Sequence, residues 1–206
     1  MKLIAIVGTN STKLTNRQLL QYMQVHFADK ADIELVEIKD LPVFNKPADQ
    51  KVPELASEIA SKIRAADGVI IGTPEYDHSI PAVFMNALAW LSYRIFPLLN
   101  KPIMITGASY GTLGSSRAQL QLRQVLNAPE IKANVLSNEF LLSHSLQAFD
   151  SQGNLVDLET IQKLDAIFDD FRLFVKITGK LSNAQELLHK EAENFDWESV
   201  YNLKEN

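Results

Sequence analysis

Three stretches of this 206-residue chain carry residue types that can do chemistry. The first is Gly8-Thr9-Asn10-Ser11-Thr12-Lys13-Leu14-Thr15-Asn16-Arg17. It offers hydroxyls from Thr9, Ser11, Thr12 and Thr15, and no acid to repel an anion. A loop of this kind running into a helix suits a phosphate, because the free N–H groups and dipole of a helix N-terminus attract negative charge. Neither a G-x-G-x-x-G dinucleotide fingerprint nor a G-x-x-x-x-G-K-[ST] P-loop is present, so the phosphate expected is a monophosphate held by hydroxyls and amides. By residue type alone, an ordinary connector capped by Thr15 or Asn16 fits equally well.

The second stretch is Thr73-Pro74-Glu75-Tyr76-Asp77-His78-Ser79-Ile80-Pro81. Two prolines stiffen it, and Tyr76 offers a flat amphipathic ring that can wall a planar ligand. A stiff connector with Tyr76 half buried is the plainer alternative. Asp77 and His78 are adjacent, and neighbouring residues seldom point at one another, so they are read as an exposed pair and not as a catalytic dyad. The third stretch, Thr106 to Arg117, carries Gly107, Gly111 and Gly114 among Ser109, Tyr110, Thr112, Ser115 and Ser116. Its glycines permit positive φ and close approach of backbone to a flat ligand. Ser109 and His144 lack the G-x-S-x-G elbow that a hydrolase nucleophile needs.

Elements that alternate along the chain position these loops. Leu3 to Val7, Ile33 to Ile38, Gly68 to Gly72 and Pro102 to Thr106 read as short apolar strands, and a fifth is expected between Ala133 and Leu142. Helices are expected over Thr15 to Lys30, from Pro53 through Ile63, and over Ile80 to Leu91, Arg117 to Leu126 and Leu158 to Ile177. Five β–α units imply an α/β fold, a parallel sheet covered by helices on both faces. In such sheets ligands bind beyond the carboxyl ends of the strands, where the loops after strands one, three and four converge. The body is read as one domain over residues 1–178, with an acidic C-terminal extension of the same domain over 179–206 that contains Phe195, Trp197 and Tyr201.

Composition narrows the class of function. The chain has no cysteine, which excludes disulfides, thiolate catalysis and Cys-ligated metal. The net charge is −5, and residues 189–206 alone carry −3, so the body is close to neutral. A nucleic-acid partner is not expected from this balance. No apolar run reaches the roughly 20 residues of a spanning helix, and the start lacks the pattern of a signal peptide. A cytoplasmic protein without a membrane partner is the expectation.

Read together and in order, the three loops resemble the NADPH-dependent FMN reductase family, a flavodoxin-like group that includes azo and quinone reductases. Pro74 to Pro81 followed by Asn86-Ala87-Leu88-Ala89-Trp90 is similar to its P-E-Y-N-x-S-[IV]-P and K-N-A-[IL]-D-W. Ala108-Ser109-Tyr110-Gly111, Gly114 and Arg117 to Arg123 resemble its G-A-S-x-G-x-x-G-G-x-R-A-Q-x-x-L-R. Gly8-Thr9 and Asn16-Arg17 resemble its phosphate loop, G-S-x-R-x-x-S-x-N. The resemblance runs from about Met1 to Phe149.

It implies a doubly wound five-stranded parallel sheet in the order 2-1-3-4-5, a noncovalently bound FMN, and NADPH or NADH as donor to a small-molecule electron acceptor. By the same resemblance, Thr9, Ser11 and Asn16 lie by the phosphate, and Thr15 and Arg17 are also expected among the cofactor-binding residues. Pro74, Glu75, Tyr76 and Asp77 line the ribityl chain and flavin ring. Ser109, Tyr110, Gly111, Gly114 and Ser115 cover the pyrimidine edge. No catalytic side chain and no metal are implied. A homodimer or homotetramer is implied, with the helix after Pro81 near the contact; Trp90, Tyr93 and Phe96 there fit an interface or a buried helix equally well. An electron carrier of the flavodoxin type and a flavin-free regulatory descendant are the alternatives. The chain departs from the family at Ser11 (usually Arg), Leu14 (usually Ser) and Asp77 (usually Asn). The first and last departures lead us to expect weaker FMN retention and a lower flavin potential.

Overall fold

The computed structural model describes residues 1–13 and 15–193, with side chains through Leu181. Leu14 and the apolar tail residues from Phe195 onward, singled out above, lie outside the described residues. Strands β1 (Lys2–Val7), β2 (Asp32–Glu37), β3 (Gly68–Gly72) and β4 (Pro102–Ala108) alternate with helices α1 (Thr15–His26), α2 (Glu54–Ala65), α3 (Ala82–Leu91) and α4 (Ser116–Leu126). The short strands β5 (Asn134–Val135) and β6 (Phe140–Leu142) and the long helix α5 (Leu158–Glu193) complete the order. All pairings between these strands are parallel, in the order β2-β1-β3-β4-β5, with β6 also beside β4. This is the doubly wound flavodoxin-like topology expected.

Strand alternation divides the core between the two faces. Ile4 and Ile6 of β1 face α2, α3 and α4, where Ile59, Phe84 and Leu122 complete one apolar layer. Leu3, Ala5 and Val7 face α1 and α5, meeting Leu19, Met23, Phe168 and Phe171 in the other. Phe27 and Phe168 stack at 3.7 Å and lock α5 onto the end of α1. Both faces of the sheet are thus dry, which is why the strands read as unbroken apolar runs.

Two elements differ from expectation. The fifth strand is in two pieces, because the chain leaves the sheet between Val135 and Phe140. The Arg123 guanidinium collects the carbonyls released there, donating to Leu136, Ser137 and Asn138. Helix α5 runs 36 residues, well past Ile177 and through Gly179, where body and extension were divided. Trp90 is buried and Tyr93 partly buried, as the buried-helix alternative has it. They pack edge-on against Phe44, and Trp90 donates to the Pro42 carbonyl at 2.7 Å. Phe96 remains partly exposed. Among the described residues no helix is long and apolar enough to cross a membrane.

Candidate functional site

The carboxyl ends of β1, β3 and β4 release the three polar loops side by side. Between the second and third lies a cleft of about 420 Å³, within the size range of small-molecule sites. Pro74, Glu75 and Tyr76 form one wall, and the segment from Ala108 to Leu113, with Ser115 and Arg117, forms the other. Thr15, on the first turn of α1, closes one end. Tyr76 and Tyr110 are each about half exposed, so two flat rings stand at the mouth. Eight of the residues expected to hold a cofactor line this one space: Thr15, Pro74, Glu75, Tyr76, Ser109, Tyr110, Gly111 and Ser115.

The second loop is a miniature hairpin. Tyr76 and Ser79 exchange backbone hydrogen bonds at 3.0 and 2.9 Å, and both residues between them, Asp77 and His78, have positive φ. That is the geometry of a primed two-residue turn, which Asp and Asn tolerate better than most residues. Asp77 therefore sits exposed at the turn, outside the cleft lining, where solvent screens its charge. His78 is exposed, as read from the sequence.

Glu75 does not hang free in the cleft. Its Oε1 accepts from Arg117 Nε and Nη2, each at 2.6 Å, and its Oε2 accepts the backbone N–H of Arg117 at 3.0 Å. The carboxylate thereby caps α4 from the neighbouring loop and binds the two cleft walls together. Ser79 Oγ and the Ile80 N–H add a second tie, both donating to Gln121 Oε1.

The first loop is braced in the same manner. Buried Asn16 spends its amide on Ala108, donating Nδ2–H to the carbonyl and accepting the N–H, both at 2.9 Å. Arg17 forms a two-pronged pair with Glu37 at 2.9 and 2.7 Å and also donates to the Ser11 carbonyl. The pair holds the Arg17 guanidinium above its ordinary pKa, through the Glu37 hydrogen bond first. The charge of Arg17 is thus directed to Glu37. Thr9 Oγ1 accepts the Ser11 N–H and lies 3.4 Å from the Tyr76 hydroxyl, joining the first loop to the second.

In the third loop, Gly114 has a φ of 55°, and a Cβ there would come within 2.6 Å of the Leu141 backbone. Ser109 Oγ accepts the Gly114 N–H at 2.9 Å. Sequence reasoning missed the segment after β6. The Ser145 N–H donates to the Ser109 carbonyl, the His144 N–H to that of Gly111, and Ser145 Oγ meets Thr15 Oγ1 at 2.7 Å. The signal was present as Ser143-His144-Ser145, a polar run directly after an apolar strand on the same sheet edge.

These residues fit an FMN. The cleft is walled by Pro74, Tyr76 and Tyr110, and a Cβ on Gly111 would meet no protein atom within 4 Å, leaving that face open to a planar ring. The first turn of α1 carries no acid, and Thr15 on that turn lines the cleft. Among the described residues, Lys13 is the first-loop cation without an ion-pair partner.

Comparison with known proteins agrees with this geometry. Residues 1–147 match the family described as NADPH-dependent FMN reductase. The chain is 49% identical over 200 residues to the NADH:(hydroxy)cinnamate reductase subunit CrdA of Vibrio ruber, covering 97% of this chain and 98% of the relative. It is 46% identical over 188 residues to the NADH-dependent flavin reductase subunit 2 of Lactobacillus johnsonii, covering 87% of this chain and all 100% of the relative. Among solved structures, FerB, a flavoenzyme NAD(P)H:(acceptor) oxidoreductase from Paracoccus denitrificans, superposes with a TM-score of 0.78 at 25% identity. That likeness covers 86% of this chain and 98% of FerB. The chain belongs to the NADPH-dependent FMN reductase family.

Proposed function

We propose that the cleft between the second and third loops is the FMN site of this NAD(P)H-dependent flavin oxidoreductase, and that its open mouth takes donor and acceptor in turn. The observation that carries the location is the convergence of Pro74–Tyr76 and Ser109–Ser115 on one cleft at the carboxyl ends of β3 and β4. Bound FMN supplies hydride acceptance from nicotinamide and electron transfer to the acceptor. The protein's own work is placement. Tyr76 and Tyr110 set the planes against which flat rings lie, and Asn16 and the Glu75–Arg117 pair hold the loops at fixed separation. A hydride step needs no side-chain acid or base, and Glu75, the one acid in the lining, is already paired.

Quinones, free flavins and cinnamate-type acids are the acceptor classes this reading includes, by similarity to the relatives. Both curated relatives above are named as subunits, which favours a second reading of the acceptor: a partner polypeptide that receives the electrons. A homodimer or homotetramer in the cytoplasm, with residues 179–206 as an extension of the same domain, completes the proposal. Steady-state oxidation of NADH and NADPH by FMN-loaded protein, with a quinone, a hydroxycinnamate and riboflavin as acceptors, tests it. Turnover with a free small acceptor supports the stand-alone enzyme. Reduction of bound FMN without turnover on any of the three supports the subunit reading, and failure to oxidise either nicotinamide removes both.

A further inference from the structure

Ser115 is the N-cap residue of α4, and serine is among the side chains best suited to bond the free N–H groups of a helix start. It makes no such bond. Its backbone is left-handed, with φ 67° and ψ 28°, a conformation that glycine adopts freely and serine does not. Its hydroxyl is buried without a hydrogen-bond partner, and Gln119 Oε1 is likewise unpartnered. The hydroxyl lies beneath Gly107, where an added Cβ would sit 1.6 Å from it. The helix N–H groups that serine would normally serve go to Glu75, at 3.0 Å from Arg117 and 3.4 Å from Ala118.

Two residues thus compete for one cap. Glu75 holds it in this structure, at the cost of a strained backbone and a stranded hydroxyl at Ser115. Turning Ser115 to the extended conformation of an ordinary N-cap would relieve both, and would serve the same N–H groups. Glu75 and Ser115 both line the cleft. Glu75 Oε2, once released from the helix, is an acceptor-only atom beside a ligand that carries a chain of hydroxyl donors.

We propose that Ser115 and Glu75 are alternative caps of α4 and that the polyol chain of the flavin cofactor exchanges them. Ser115 Oγ takes the helix N–H groups, and Glu75 Oε2, freed of them while Oε1 keeps its pair with Arg117, accepts hydrogen bonds from the ribityl hydroxyls. This rests on the cleft being the FMN site. Ser115 acts here as a positioning residue, since its effect reaches the ligand through Glu75. Glycine at this position accepts the left-handed backbone and has no hydroxyl to offer as a cap, so Ser115→Gly holds the exchange in the state seen here.

The test compares wild type and Ser115→Gly as apoproteins by thermal unfolding, then titrates each with FMN and with lumichrome, which has the ring system without the polyol chain. The expected result is a higher melting temperature for Ser115→Gly, FMN binding weaker by about tenfold, roughly 1.4 kcal/mol, and unchanged lumichrome binding. Equal FMN affinity in the two proteins, or parallel loss for both ligands, overturns the exchange and leaves the cofactor site standing. A wild type that binds no FMN overturns the site itself. If Ser115→Gly fails to fold, Gly107→Ala serves from the other side, because its Cβ expels the Ser115 hydroxyl from beneath β4, while also displacing the Gln119 amide that it would meet at 2.8 Å. It is expected to bind FMN at least as tightly as wild type, and a folded Gly107→Ala with weakened FMN binding contradicts the proposal.

Discussion

The side-chain amide of Asn16 and the peptide of Ala108 form a reciprocal pair of hydrogen bonds, each 2.9 Å long and buried. The pair joins the first helix turn to the end of β4, across the switch in strand order where the cleft opens. Asn16→Ala would strand a buried N–H and a buried C=O together. The expected cost is about 2–4 kcal/mol of stability, measured by denaturant unfolding. Asn16→Asp should cost a comparable amount, because it replaces the donor facing the Ala108 carbonyl with an acceptor.

Arg117 anchors Glu75 through Nε and Nη2, and its carboxylate partner is only 9% exposed. Removing the guanidinium leaves that carboxylate held by backbone N–H groups alone. Arg117→Ala is expected to lose about 1–2 kcal/mol in thermal or urea unfolding. Arg117→Lys should recover only part of this, since an ammonium cannot reproduce the two-pronged geometry.

Two glycines of the third loop should separate folding from binding. Gly114→Ala forces a side chain into positive φ and against Leu141, and a loss of about 2 kcal/mol or more is expected. A Cβ on Gly111 meets no protein atom within 4 Å, and Gly111 lines the cleft. Gly111→Val should therefore melt close to wild type while binding FMN at least tenfold more weakly in a fluorescence titration.

The pH dependence of stability follows from the ion pairs that tie helices together. Asp169, hydrogen-bonded to Lys30 on the α1 side and to Arg172 on its own helix, is held below the usual carboxylate pKa, with the Lys30 bond the main cause. Glu34 is lowered likewise by Lys62. A carboxylate with a depressed folded pKa stabilises fully above its unfolded value and loses that contribution as pH falls through the folded value. Stability should thus be flat near neutrality and decline below the ordinary carboxylate range. Asp169→Asn should flatten part of that acid limb, by a few tenths to about 1 kcal/mol after solvent screening. An unchanged acid limb in this variant would contradict the assignment.

Much of this architecture is legible in the sequence for a simple reason. Leu3 to Val7 and Gly68 to Gly72 lie in a sheet covered on both faces, so their burial is written as continuous apolar runs. The three loops are legible because polar runs directly after such strands mark the ligand edge of a parallel sheet. What was not legible depends on partners distant in the chain. Asn16 and Ala108 lie 92 positions apart, and Glu75 and Arg117 lie 42 apart, so loop residues that look free to touch a ligand prove to be braces. The Asp77-His78 turn was hidden because it uses positive φ without a glycine. Helix α5 runs past the Ile177 expected from the sequence, and Gly179 sits inside it with nothing near its missing Cβ.

An FMN held in this cleft and reduced by nicotinamide has a direct spectroscopic signature. The direct measurement is the visible spectrum of the FMN-loaded protein, freed of excess flavin, during anaerobic titration with NADH and then NADPH. Loss of the oxidised-flavin band is expected at about one equivalent of at least one of the two donors, with Gly111→Val losing its flavin before the titration begins. Protein that stays colourless after FMN is supplied, or yellow protein that neither donor bleaches, would contradict it.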